Sequence, residues 1–161
     1  MSAITEASTF CIRPAVAADA AGLLQMMREL AAFEGYLAEF RVNVEDLLAR
    51  GLDAVSPQFR AYVAATPTGN LLAYAVLNEV AFTYDLRPDW RLKELYVTGP
   101  ARQLGVGRTL MQTVIADARQ YGCGRLKWDV LPGNSNAKRF YRQLGGEPVK
   151  DWEAWVLQFT P

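Results

Sequence analysis

Leu92-Lys93-Glu94-Leu95-Tyr96-Val97-Thr98-Gly99-Pro100-Ala101-Arg102-Gln103-Leu104-Gly105-Val106-Gly107-Arg108 is the stretch that decides the fold. It opens as a strand over Leu92 to Val97, breaks at a glycine-interrupted turn, and enters a helix near Gly107. Beyond it Leu110, Met111, Val114, Ile115 and Ala118 recur on one helical face until Gly122 and Gly124 end the helix. Gly105 and Gly107 carry no Cβ, so the backbone can turn tightly and a ligand can come close to it. The first turn of the helix presents unpaired N–H groups at the positive end of a dipole. Such a turn is a site for an anion such as pyrophosphate, to which Arg102 and Arg108 add charge. Taken alone, it is equally compatible with being only a turn. Leu110 stands where a third glycine of G-x-G-x-x-G would be, and no Gly-Lys-Ser/Thr occurs. Rossmann-type and triphosphate loops are therefore disfavoured.

Downstream, Leu126 to Val130 reads as a strand, and Asn134 caps a helix whose buried face is Ala137, Phe140, Tyr141 and Leu144. Gly145-Gly146 stops that helix, and Trp152 to Phe159 reads as a final strand. Upstream, Phe10 to Arg13 is a short strand closed by Pro14. Asp19 is placed to cap a helix carrying Leu23, Met26, Met27, Leu30 and Ala31, which Gly35 ends. Val44 to Arg50 is a second short helix with Gly51 as its stop. Phe59 to Ala65 and Leu71 to Asn78 form a hairpin around the turn Pro67 to Asn70. The order β-α-α-β-β-β-α-β-α-β predicts one mixed α/β domain over residues 1–161, antiparallel early and β-α-β late, with residues 1–9 as a flexible segment.

The composition narrows the function. With 161 residues and half of them apolar, one core is expected. Lys and Arg number 17, and so do Asp and Glu. This balance lacks the cationic excess that general nucleic-acid binding needs. There is no histidine, which removes Ser-His and Cys-His catalysis and most zinc sites, so no metal is expected. Proton transfer then falls to Glu, Asp, Tyr, Lys or water. Cys11 and Cys123 read as free thiols. The first residues carry no signal-peptide pattern and no long apolar run exists, so a soluble cytoplasmic protein without membrane contact is expected.

Taken together, these motifs match a family. Arg102-x-x-Gly105-x-Gly107 resembles the signature of the GNAT superfamily of N-acetyltransferases, and Asn134 through Phe140-Tyr141 and Gly145 resembles its second conserved region. Shorter matches resemble the spermidine/spermine (diamine) and thialysine acetyltransferase branch: Ile12-Arg13-Pro14-Ala15, Glu29-Leu30-Ala31 with Phe33-Glu34, Thr83-Tyr84-Asp85, and Glu153-Ala154-Trp155. The resemblance implies a mixed, mostly antiparallel sheet flanked by about four helices and splayed between its fourth and fifth strands, with acetyl-CoA in the gap. It implies that backbone groups of Leu95, Tyr96 and Val97 hold the pantetheine arm and acetyl carbonyl. Arg102, Gln103, Leu104, Gly105, Val106, Gly107 and Arg108 would bind the pyrophosphate, Asn134 and Ala137 would touch the pantetheine, and Tyr141 would lie near the sulfur. A homodimer is expected on the same ground.

The chemistry follows from ordinary pKa values. An alkyl ammonium, with a pKa of about 10.4, must lose a proton before its nitrogen can attack a thioester. The leaving thiolate, with a conjugate pKa of about 8.5, leaves more easily when protonated. Tyr141 is the expected general acid and Glu94 the expected base, acting through water. The polyamine-acetylating relatives carry two adjacent acids here. Lys93 takes the place of the first, and Glu94 matches the second. For the acceptor, Phe33, Glu34, Asp85, Glu153 and Trp155 are the candidate groove residues. Carboxylates would hold the cationic amine, and aromatic rings would wall it. The loop from Tyr84 to Leu92 is shorter than in the polyamine enzymes. Three readings stand: acetylation of a small primary amine (a diamine, polyamine or lysine-like amine), acetylation of a protein N-terminus or lysine, and a non-catalytic coenzyme A-binding module.

Overall fold

Strand β2 (Arg60–Ala65) is buried from Ala61 onward, and β3 (Leu71–Val80) is buried from Ala73 to Leu77. Unbroken burial of this kind means that both faces of the sheet are covered. On one face Ala61, Val63, Tyr74 and Val76 pack with Leu23, Met26, Met27 and Leu30 of α1 (Ala20–Glu34) and with Leu47 of α2 (Val44–Leu47). The pairs Ala61↔Val76 and Val63↔Tyr74 put these side chains in register on that face. The alternate residues turn to the other face, where α3 (Val106–Tyr121) packs on β2 and β3 through Leu110, Met111, Val114 and Ala118. There the Tyr62 hydroxyl bonds Asp117 of α3, and burial first, then that bond, pushes its pKa up to about 12.

The computed structural model describes residues 9–161, so most of the segment expected to be flexible, residues 1–8, lies outside the described residues. The chain falls into two compact units, one ending at Asp129 and one spanning Val130–Pro161. The first contains a five-stranded sheet in the order β1-β2-β3-β4-β5, with β1 at Cys11–Pro14, β4 at Asp89–Val97 and β5 at Arg125–Trp128. All neighbours are antiparallel except β4 and β5, which run parallel across the α3 crossover. The second unit contains α4 (Ser135–Gln143). With four α-helices and one parallel strand pair among the described residues, this is the mixed α/β architecture expected from the sequence.

Three local expectations are corrected. Trp152 to Phe159 forms no strand; Trp152, Trp155, Val156, Leu157 and Phe159 are all exposed. A β-prone sequence becomes a strand only when a neighbour completes its backbone hydrogen bonds, and no ladder reaches this one among the described residues. Asp19 sits at the N-cap position of α1 without capping it. Its carboxylate is taken up by the Arg13 guanidinium at 2.6 Å and by the Val16 N–H at 2.8 Å, and the Arg13 bond holds its pKa below the usual range. Gly51 does not end α2 cleanly, because the chain runs on through a π-type turn, Leu48–Leu52. The glycine is explained instead by the Phe59 ring, which a Cβ would meet at 2.1 Å.

A buried ion cluster fixes the start of the parallel pair. Asp89 accepts from Arg125 at 2.6 Å and from Lys127 at 2.8 Å, with its side chain only 7% exposed. The Gly124 N–H donates to the Pro88 carbonyl at 2.8 Å alongside it. Leu23 of the main apolar seam is fully buried. Leu23→Ala removes that side chain and leaves a cavity, at an expected cost of about 2–5 kcal/mol. Urea unfolding should show this as a lower midpoint with an unchanged slope.

Candidate active site

The site begins where β4 loses one neighbour. The β4–β5 ladder runs from Asp89↔Arg125 to Leu92↔Trp128 and stops there. The β3–β4 ladder continues to Ala73↔Val97. At the stopping point its register shifts: Val76 pairs with Glu94 and Leu77 with Leu92, so Lys93 is an extra residue in β4. A bulge of this kind bends a strand and increases its twist. From Glu94 to Val97, β4 is therefore held by β3 on one side only. The outer edge of Leu95, Tyr96 and Val97 carries backbone polar groups with no strand partner among the described residues.

The same register fixes the side chains. Glu94 lies opposite Val76 and Tyr96 opposite Tyr74, on the face covered by α1. The Tyr74 ring is fully buried, and its O–H donates to Glu94 Oε2 at 3.1 Å. The Tyr96 O–H donates to Glu29 Oε2 at 2.8 Å, and the rings of Tyr74 and Tyr96 lie 6.3 Å apart. Burial, above all, raises the Glu94 pKa. Glu34 adds to the rise, while the Tyr74 hydrogen bond and Lys93 oppose it. Burial also raises the Tyr36 pKa, helped by Glu94 and Glu34, and burial raises that of Glu34. Two carboxylates with raised pKa values, the Glu34 charge adding to the rise at Glu94, make a place that favours a cation and a group poised to accept a proton.

After β4 the chain makes a short 3-10 turn, Gly99–Ala101, and reaches α3 through two left-handed residues, Gln103 at φ 66° and Gly105 at φ 78°. Ala101 and Val106, each 1% exposed, pin the two ends of this loop. Nothing lies within 4 Å of where a Gly105 Cβ would be, so the space above the backbone is open. The first helical hydrogen bond runs from Thr109 N–H to the Gly105 carbonyl at 3.0 Å. The N–H groups of Val106, Gly107 and Arg108 precede it and point out of the helix start. This cradle suits an anion such as a phosphate or pyrophosphate. Arg102 does less there than its charge promised. Its Nε donates to the Val97 carbonyl at 3.1 Å and its guanidinium stacks 5.8 Å from the Tyr96 ring, so it braces the end of β4.

In the second unit the Asn134 side chain accepts from the Ala137 N–H at 3.0 Å, the expected cap. Ala137, Phe140, Tyr141 and Leu144 form the less exposed face of α4, half-buried where full burial was expected. Phe140 and Tyr141 meet edge to face at 5.3 Å. Trp155 donates to Glu153 at 3.4 Å, and the Trp155 ring is 90% exposed.

The groove residues therefore fare differently. Glu34 and Glu94 are brought together, and Phe33 stands exposed at the end of α1 beside Glu34. Asp85 is committed elsewhere. Both its oxygens accept from Arg125, at 2.9 and 3.0 Å, and this holds its carboxyl far below the usual range. Two residues the motifs did not flag, Tyr36 and Tyr74, turn out to border Glu94. In the sequence Tyr74 is one more apolar position of a strand, and only the ladder shows what it faces.

A sequence profile of the acetyltransferase (GNAT) family matches residues 24–146. Thialysine N-epsilon-acetyltransferase of Sus scrofa is 28% identical over 151 residues, covering 89% of this chain and 88% of the relative. The protein of that name in Mus musculus is 28% identical over 152 residues, covering 90% and 88%. Among solved structures, an aminoglycoside acetyltransferase from an uncultured soil metagenomic sample, in complex with sisomicin, superposes with a TM-score of 0.74 at 16% identity, covering 92% of this chain and 97% of that one. Aminoglycoside N-acetyltransferase AAC(6')-Iy in complex with CoA gives 0.71 at 18%, covering 93% and 95%. The profile takes in the one-sided strand, the glycine loop and the capped helix alike. The chain thus belongs to the acetyltransferase (GNAT) family and is an acetyl-CoA-dependent N-acetyltransferase.

Proposed function

We propose that the protein transfers the acetyl group of acetyl-CoA to a primary amine of a small molecule, a diamine, polyamine or lysine-like amine, by direct attack within a ternary complex. One observation carries the reading: Glu94, its pKa raised by burial and its charge felt by Glu34, stands where β4 leaves β5. The names of the curated relatives support a lysine-like acceptor.

In this reading acetyl-CoA supplies a thioester. The Gln103 to Arg108 backbone with Arg102 holds its pyrophosphate, Leu95 to Val97 meet its arm and acetyl carbonyl, and, by the family resemblance, Asn134 and Ala137 touch its pantetheine. Glu34 and Phe33, with Glu153 and Trp155, receive the acceptor. Asp85 acts at one remove, by fixing the loop before β4 through Arg125. Glu94 takes a proton from the ammonium through water. The amine nitrogen bonds the carbonyl carbon, the carbon–sulfur bond breaks, Tyr141 protonates the departing sulfur, and the nitrogen's second proton passes through water to restore the Tyr141 phenol. Backbone N–H groups on the open edge of β4 stabilise the oxyanion. The reading treats residues 1–161 as one acetyltransferase domain, in a cytoplasmic homodimer. Among the described residues no helix is long and apolar enough to cross a membrane.

A panel of amines and peptides with acetyl-CoA and free-thiol detection tests the acceptor class. Turnover on thialysine, lysine or diamines above peptides is expected, and turnover on peptides alone overturns the small-amine reading. Tyr141→Phe should lower kcat by about 10²-fold or more, the contribution of a positioned acid. Gly105→Val forces a β-branched residue into a left-handed backbone over the open cradle. It should raise KM for acetyl-CoA by about tenfold or more, equivalent to about 1.4 kcal/mol of lost binding. The pH dependence has a definite sign. Glu94 works only as the carboxylate, and its pKa is raised, so kcat/KM falls with decreasing pH through a value above the ordinary glutamate pKa of about 4.3. A pH–rate profile of Glu94→Gln should lack that limb.

A further inference from the structure

We infer that Tyr74 is a positioning residue for acetyl transfer: its buried O–H holds Oε2 of Glu94 and leaves Oε1 to take the proton from the acceptor. The inference rests on Glu94 being the base.

The geometry leaves Tyr74 little other purpose for its oxygen. The ring fills the seam between β3 and α1 and is fully buried, so a phenylalanine would pack there equally well. A buried hydroxyl without a partner is costly. This one reaches across from β3 to the neighbouring strand and ends 3.1 Å from Glu94 Oε2. The ladder explains the reach. Tyr74 pairs with Tyr96 and Val76 with Glu94, so Tyr74 and Glu94 are diagonal neighbours on one face, within range of a long side chain. Glu94 is also the first residue past the bulge, on a strand with β3 alone beside it. Of the groups facing Glu94, Lys93 lies next to it on β4, Glu34 ends α1, and Tyr36 follows α1; Tyr74 is the one that donates a hydrogen bond to its carboxylate among the described residues.

A hydrogen bond donated to a carboxylate favours the charged form. Tyr74 thus opposes the rise that burial and Glu34 impose on Glu94, and keeps a buried acid available as a base. Its loss should leave the carboxylate both less fixed and harder to ionise.

Tyr74→Phe removes the oxygen and keeps the ring. Against thialysine or another accepted amine, kcat should fall about tenfold with KM for acetyl-CoA within twofold, and the acid limb of the pH profile should move to higher pH. In the Glu94→Gln background, adding Tyr74→Phe should change the rate less than twofold, because a residue acting through Glu94 has nothing left to act on. Thermal melts should place Tyr74→Phe close to the parent. An unmoved limb in Tyr74→Phe, or a further tenfold loss in the Glu94→Gln background, overturns the role of Tyr74. A limb that survives in Glu94→Gln itself overturns the base assignment and this inference with it. The single variants tell the two failures apart. If Tyr74→Phe melts early, Tyr74→Met supplies the same comparison with an unbranched apolar filler, and an unmoved limb there is equally decisive.

Discussion

The structure turns on one extra residue in one strand. Lys93 has no partner on β3, and at that point β4 parts from β5. Upstream, the parallel pair is locked by the buried Asp89 between Arg125 and Lys127. Downstream, the strand keeps β3 and loses β5. A backbone edge inside a folded sheet is normally satisfied or covered. Here it lacks a strand partner from Glu94 to Val97 among the described residues, shortly before a helix whose first N–H groups have no intrahelical acceptor. The opened edge and the helix start are consecutive pieces of one chain, which suits a ligand with a carbonyl at one end and a pyrophosphate at the other.

Charge is arranged around that opening with economy. The chain carries no net charge, yet its acids are not spread evenly. Asp19, Asp85 and Asp89 are consumed by arginines and lysine, and they brace turns and strand starts. Among the described residues Glu34 and Glu94 form no ion pair with an arginine, and the Glu34 charge adds to the rise that burial imposes on Glu94. In the first group, Asp19 and Asp85 are held as carboxylates by their arginines. Acids in the second group are pushed toward the protonated form, which is what a proton acceptor working near neutrality requires. The arginine of the loop is likewise structural in part, since Arg102 secures the last carbonyl of β4 and stacks on Tyr96. Motif position alone would have given it to the ligand.

Much of the fold was legible because each element announces itself locally. The 3.6-residue periodicity of α1 and α3, the glycines at Gly35 and Gly122 with positive φ, and the Pro67 to Asn70 turn all act over a few residues. The misses share a cause. Trp152 to Phe159 has strand-forming residues and no ladder. Asp19 has the right position for a cap, but Arg13 claims its carboxylate. Gly51 looks like a stop, but it makes room for Phe59. Each was decided by a side-chain or strand partner outside the element itself, or by its absence.

The division holds for the site as well. The sequence by itself determined the acyl-transfer chemistry. Histidine is missing, the loop from Arg102 to Gly107 has the makings of an anion site, and together with Asn134 to Tyr141 it matches the acetyltransferase (GNAT) family. These features depend on backbone conformation and residue type, which local sequence dictates. Tertiary structure alone decided which acids have raised pKa values and which are neutralised. It placed Asp85 on Arg125, drew Glu34 and Tyr36 toward Glu94, and set the Tyr74 hydroxyl on its carboxylate. Strand register and helix packing bring together residues tens of positions apart, and electrostatic shifts depend on distance and burial, for which a linear sequence has no measure.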